Sequence, residues 1–143
     1  WRASCYESIF GINIVGDSES NKLGELDRHV YQEYGGYWVA RRVSGVFAAK
    51  NKLVSANRLE LTFPSGQVPQ GITHQARLRW SDNKGLTYGN PMIKEIGTAG
   101  AGNQRLVWWS MGSFRQRVYE LSISTAANRD LIDEDFLYEV GGL

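Results

Sequence analysis

The chain has 143 residues and a formal net charge of +1. It is long enough for one domain with a true core, too short for two well-packed ones, and not a polycation built to hold nucleic acid. Five Trp, seven Tyr, five Phe and 16 Gly against only 3 Pro favour strands joined by glycine turns over a helical bundle. The single cysteine, Cys5, excludes an internal disulfide framework and points to a reducing compartment, with a buried, inert thiol as the expectation. No run approaches the roughly 18 apolar residues of a membrane span, so no membrane partner is expected. The sequence begins at Trp1 inside strand-like material, and the expectation is a single β-rich domain over 1–143 cut from a longer polypeptide.

Along the chain, Cys5 to Val15 with the polar turn Gly16 to Asn21 reads as a hairpin, and Lys22 to Val30 as its return arm or a helix. The glycines of Tyr34-Gly35-Gly36-Tyr37 break the chain before a strand over Trp38 to Val46, which ends at the turn Lys50-Asn51-Lys52. From Arg58 to Phe63 the alternation is strict, with Leu59, Leu61 and Phe63 on one face, as in a half-buried antiparallel strand. A turn at Pro64-Ser65-Gly66 follows. In Ala76 to Trp80, Leu78 and Trp80 share one face and Arg77 and Arg79 the other, and Thr87 and Tyr88 start the return. Further strands are expected at Met92 to Ile96, at Gln104 to Ser110 with Trp108 and Trp109 on opposite faces, and at Arg117 to Ser124. The tail, 126–143, repeats Ile132, Phe136 and Val140 every four residues behind Asp130, which suggests a short helix or a docking segment.

Few residues carry chemistry. Gly97, Gly100 and Gly102 lack the following helix and lysine of a phosphate-binding loop, so a flexible loop is expected. His29 and His74 stand at no metal-ligand spacing, no nucleophile elbow appears, and neither a metal nor another cofactor is expected. Arg77 and Arg79 form a candidate basic surface, with non-specific DNA contact as one use. Trp108, Trp109, Phe114, Arg115 and Arg117 cluster around one glycine turn, and their residue types are those favoured at protein interfaces.

Ser81-Asp82-Asn83-Lys84-Gly85-Leu86-Thr87-Tyr88 resembles the Asp-box hairpin of sialidases and other β-propellers. In this pattern Ser81, Asn83, Gly85, Thr87 and Tyr88 are structural: glycine permits positive φ, polar side chains bond the backbone, and the aromatic packs beneath. Asn83 stands where that family usually has Asp. The resemblance implies a propeller blade, with glycan binding or cleavage as an alternative function in which Arg77, Arg79 and Arg115 would converge on one pocket.

A second resemblance covers residues 57 to 125. The succession Asn57-Arg58-Leu59-Glu60-Leu61, the Pro-Ser-Gly turn, Leu78-Arg79-Trp80-Ser81-Asp82-Asn83-Lys84-Gly85, Ile96-Gly97, Arg105-Leu106-Val107-Trp108-Trp109-Ser110-Met111-Gly112 and Arg117-Val118-Tyr119-Glu120-Leu121 is similar to the carboxy-terminal part of the tail hub, or packaged-DNA stabilisation, proteins of short-tailed phages. It implies a non-enzymatic virion protein that assembles in the bacterial cytoplasm. Such a protein self-associates in a ring, closes the portal channel over packaged DNA, and meets the portal or adaptor, the tail needle and the tailspikes. The fold expected is all-β and antiparallel, part of a propeller, with a β-sandwich as the alternative.

Overall fold

The structure is a computed structural model and describes residues 2–64, 68 and 70–141. The strands in chain order are β1 (Ala3–Ile9), β2 (Ile12–Asp17), β3 (Leu23–Glu25), β4 (Gln32–Glu33), β5 (Gly36–Tyr37), β6 (Ala40–Val43), β7 (Phe47–Ala48), β8 (Val54–Phe63), β9 (His74–Ser81), β10 (Met92–Gly97), β11 (Gln104–Trp109), β12 (Ser113–Phe114), β13 (Gln116–Ile123) and β14 (Asp133–Val140). Among the described residues every strand pairing is antiparallel and there is no helix.

Two sheets share one core. The first has five strands, with β10, β9, β13 and β6 in order and β7 also on β13; the second has four, with β8 flanked by β11 and β12 on one side and β14 on the other. Leu59, Leu61, Phe63, Leu106 and Trp108 of the second sheet bury against Ala76, Leu78, Tyr119, Leu121 and Ile123 of the first. A sheet buries its apolar face only against another layer, and here each covers the other. This is the β-sandwich alternative and not the propeller blade: the hairpins do not repeat as blades but pair across two facing sheets.

The alternation that marks β8 slips once. Leu59, Leu61 and Phe63 face the core, and so do Val54 and Ala56, although the two sets differ in parity. The register against β14 jumps from Leu137 opposite Arg58 to Tyr138 opposite Ala56, which leaves Asn57 as an extra residue. That bulge returns both halves of a ten-residue strand to the same face.

The tail is the strand β14, not a helix. Phe136 and Val140 lie opposite Leu59 and Val54 of β8. In the first sheet, the return from the 81–88 turn begins at Met92 rather than at Thr87. The strand expected over Trp38 to Val46 shrinks to Ala40–Val43. Lys50 (φ 44) and Asn51 (φ 65) make the expected tight turn, closed by Lys52 N–H donating to the Ala49 carbonyl at 2.8 Å. Ser65 and Gly66 of the turn after β8 lie outside the described residues.

Residues before β6 form a separate layer. β1, β2 and β3 make a three-stranded sheet, and β4 and β5 a two-stranded one. The stretch from Cys5 to Val15 is thus two strands: Phe10 (φ 54) and Gly11 (φ 79) reverse the chain within it, and the Gly16 to Asn21 turn leads from β2 to β3. Cys5 is exposed, contrary to expectation, because β1 is an edge strand of a small, open sheet. Arg2 Nε donates to Asp17 at 3.0 Å and Ser20 also bonds that carboxylate, so the Asp17 carboxyl is held down at about 2. Toward the sandwich, the Arg129 guanidinium donates to the Tyr31 carbonyl at 2.9 Å and lies 5.3 Å from the Trp38 ring centre.

Candidate interaction surfaces

The turn between β9 and β10 is closed by its own side chains. The Ser81 hydroxyl accepts from Gly85 N–H at 2.9 Å and donates to Asn83 Oδ1 at 2.7 Å. Asn83 Oδ1 also accepts from Thr87 N–H at 2.9 Å, while Asn83 Nδ2 donates to Thr87 Oγ1 at 2.7 Å. Lys84 (φ 60) and Gly85 (φ 89) take the left-handed conformations that such a reversal needs. Tyr88 folds back over Gly85, and the Arg79 guanidinium sits 4.7 Å from its ring centre. These bonds hold the turn without the Asp82 carboxylate.

Asp82 meets Arg117. Arg117 Nε donates to Asp82 Oδ1 at 2.6 Å, Nη2 to Oδ2 at 2.9 Å and Nη1 to the Met111 carbonyl at 2.6 Å. The guanidinium is only 3% exposed and packs against the rings of Phe114, Trp80 and Tyr119 at 4.4, 5.0 and 5.8 Å. Burial works against its charge, yet Asp82 raises its affinity for the proton above the ordinary arginine value. Burial likewise pushes the Tyr119 hydroxyl up.

These placements sort the aromatic and arginine cluster into two groups. Trp108, Phe114 and Arg117 are buried and offer no surface as the chain stands. Trp109, 61% exposed, and Arg115, which bonds the Asn51 carbonyl, remain outside. Arg115 borders an open cleft of about 530 Å³ with Ala48, Asn51, Asp82 and Gln116. Neither Arg77 nor Arg79 lines it.

On the outer face of the first sheet Arg77 is exposed, whereas Arg79 is engaged by Glu120, with Nε to Oε1 at 2.7 Å. Arg41 approaches the same carboxylate at 3.6 Å. Glu120 is almost wholly buried under these two arginines and offsets one charge of the candidate basic surface, at Arg79, while Arg77 stays exposed. Sequence reading had no means to place Glu120 there, because the pairing joins strands 41 residues apart.

The outer face of the second sheet carries an ion network and a bare apolar row. Arg105 lies 3.3 Å from Glu60, Arg58 lies 3.8 Å from Glu60, and Arg58 also bonds Asp135. Trp109 and Leu137 stand on either side of Arg58 in the sheet, both at least half exposed. His74 is buried at the start of β9, with Nε2 at 3.0 Å from the Asn128 carbonyl; burial lowers its pKa. Among the described residues no group of His, Cys, Asp and Glu could hold a metal ion.

Fold and surface together define an all-β sandwich with open sheet edges and exposed aromatic and charged rows. A family model described as Bacteriophage P22 Gp10, beta-sandwich, matches residues 40–132, from β6 to the residue before β14. The chain belongs to that family and, with it, to the structural tail hub proteins of phages; the family places it in the virion tail. No curated protein matches it. The family is a sandwich rather than a propeller, and the match does not bear on the likeness of the Ser81 to Tyr88 turn to the Asp-box.

Proposed function

We propose that this chain is a structural, non-catalytic module of a tail hub that closes the portal channel after packaging, retains the DNA, and offers attachment points to the tail needle and tailspikes. The observation that carries this reading is the family match over 40–132. Support comes from a sandwich whose strongest polar groups, Arg117 with Asp82 and Glu120 with Arg79, are engaged in holding strands together rather than left free for chemistry. The mechanism is mechanical: modest contacts between copies in a ring, and with the portal or adaptor, multiplied by symmetry. Assembly takes place in the bacterial cytoplasm. Of the residues singled out from sequence, Trp109 and Arg115 are the ones we assign to protein contacts, and Arg77 to a weak basic surface.

The test is to mix the full-length parent with purified portal rings and look for a stoichiometric complex by sedimentation and electron microscopy. A saturable ring-on-ring complex is the expected result. A parent that ignores the portal and instead hydrolyses a sialoside overturns the reading.

A further inference from the structure

The four-stranded sheet has two open edges. β11 pairs with β8 on one side, β14 pairs with β8 on the other, and on its far side neither is hydrogen-bonded to another strand among the described residues, though β10 comes close to β11. Long bare edges with exposed apolar residues are templates for another strand. The two edges differ in charge. Asp133, Glu134, Asp135 and Glu139 are all exposed on β14, whereas β11 carries Arg105 and no acid.

Three rows cross the outer face of this sheet: Arg105, Thr62 and Asp133; Val107, Glu60 and Asp135; Trp109, Arg58 and Leu137. Since β11 and β14 are both antiparallel to β8, they run parallel to each other. A second copy in the same orientation, with no slip along the strands, therefore sets Arg105 of one chain beside Asp133 of the next and Trp109 beside Leu137. One row gains an ion pair, and the other covers a tryptophan that is 61% exposed and a leucine that is 50% exposed. The alternative two-fold pairing of β14 with itself over its full length would set Glu134 of each copy against Glu139 of the other, which like-charge repulsion disfavours.

We propose that β14 of one copy adds to β11 of the next, so that the second sheet runs on from chain to chain. The contact is head-to-tail, and such contacts propagate until the rotation closes a ring. The inference rests on the ring reading above and assigns it a surface.

The test uses chains carrying Cys5→Ser, so that no other thiol is present. One set also carries Leu137→Cys, the other Trp109→Cys. Within a single chain these positions lie two strand spacings apart, about 10 Å, beyond the about 7 Å that a disulfide spans. Mild oxidation of the mixture is expected to give a cross-linked pair, and oxidation of either set alone is not. A cross-link formed by one set alone, or none in the mixture, overturns the edge contact.

A second arm avoids cysteine. Asp133→Lys is expected to weaken self-association about fivefold in sedimentation equilibrium, and adding Arg105→Glu in the same chain to restore it. No restoration, or a chain that stays monomeric throughout, also overturns the contact. Failure of either arm removes this edge alone, because the tail-hub reading is decided separately by portal binding.

Discussion

Arg117 and Asp82 hold each other at two points, Nε to Oδ1 at 2.6 Å and Nη2 to Oδ2 at 2.9 Å, and so tie the middle of the sandwich to the turn after β9. The arginine is the buried partner and the aspartate, with its side chain 49% exposed, the wet one. Removing the arginine therefore strands the Met111 carbonyl and opens a hole among Phe114, Trp80 and Tyr119, while Asp82 returns to water. Arg117→Ala is expected to lower stability by about 2–4 kcal/mol in urea denaturation. Arg117→Lys should still cost about 1–2 kcal/mol, since an ammonium cannot reproduce the planar fork or the stacking. A lysine variant as stable as the parent would show that charge alone matters.

Trp108 and Trp109 are neighbours with opposite fates, 0% and 61% exposed. Trp108→Ala leaves a large hole beneath β11 and is expected to cost about 3–5 kcal/mol. Trp109→Ala touches only the outer face, where the ring meets Arg58 at 5.8 Å, and is expected to change stability by no more than about 0.5 kcal/mol. Thermal melts of the two variants side by side decide the matter; equal losses would contradict the assigned faces.

The 81–88 turn gives a third contrast. Asn83→Ala removes the acceptor of Thr87 N–H and is expected to cost about 1 kcal/mol. Gly85→Ala forces a side chain into φ 89 and sets its Cβ 3.3 Å from the Tyr88 hydroxyl, with an expected cost of about 1–2 kcal/mol. Amide exchange at Thr87 should quicken in the first variant, and unchanged exchange would remove Asn83 from its assigned role.

What the sequence made legible was alternation, and what it hid was pairing. Leu59, Leu61 and Phe63, Leu78 and Trp80, and Tyr119, Leu121 and Ile123 sort inside from outside because a strand has period two, and all of these side chains do share the core. Two sheets facing each other and a row of blades present the same local pattern, so the propeller could not be told from the sandwich by alternation alone. The tail misled for a related reason. Ile132, Phe136 and Val140 are four apart, and residues four apart share a face in a helix and in a strand alike. Arg117 looked like an interface arginine because its acid, Asp82, lies 35 residues away in the turn after β9. The bulge at Asn57 had a trace, the parity change between Ala56 and Leu59, but a single slip of that kind is visible only once a partner strand fixes the register.

His74 is expected to make the fold sensitive to acid. The ring is 1% exposed, Nε2 donates to the Asn128 carbonyl, and Nδ1 has no partner in its buried position. Burial lowers its pKa below the ordinary 6.5, and the Arg129 charge acts in the same direction, so the folded protein holds the neutral ring. The unfolded chain takes up the proton near pH 6.5, and below that pH it binds more protons than the native state. The contribution is thus fully present above about pH 6.5 and lost as the pH falls. Denaturation midpoints measured from pH 8 to pH 5 should drop for the parent and drop less steeply for His74→Asn, whose amide keeps a donor for Asn128 but does not titrate. An identical slope in both proteins would assign the acid sensitivity to other groups.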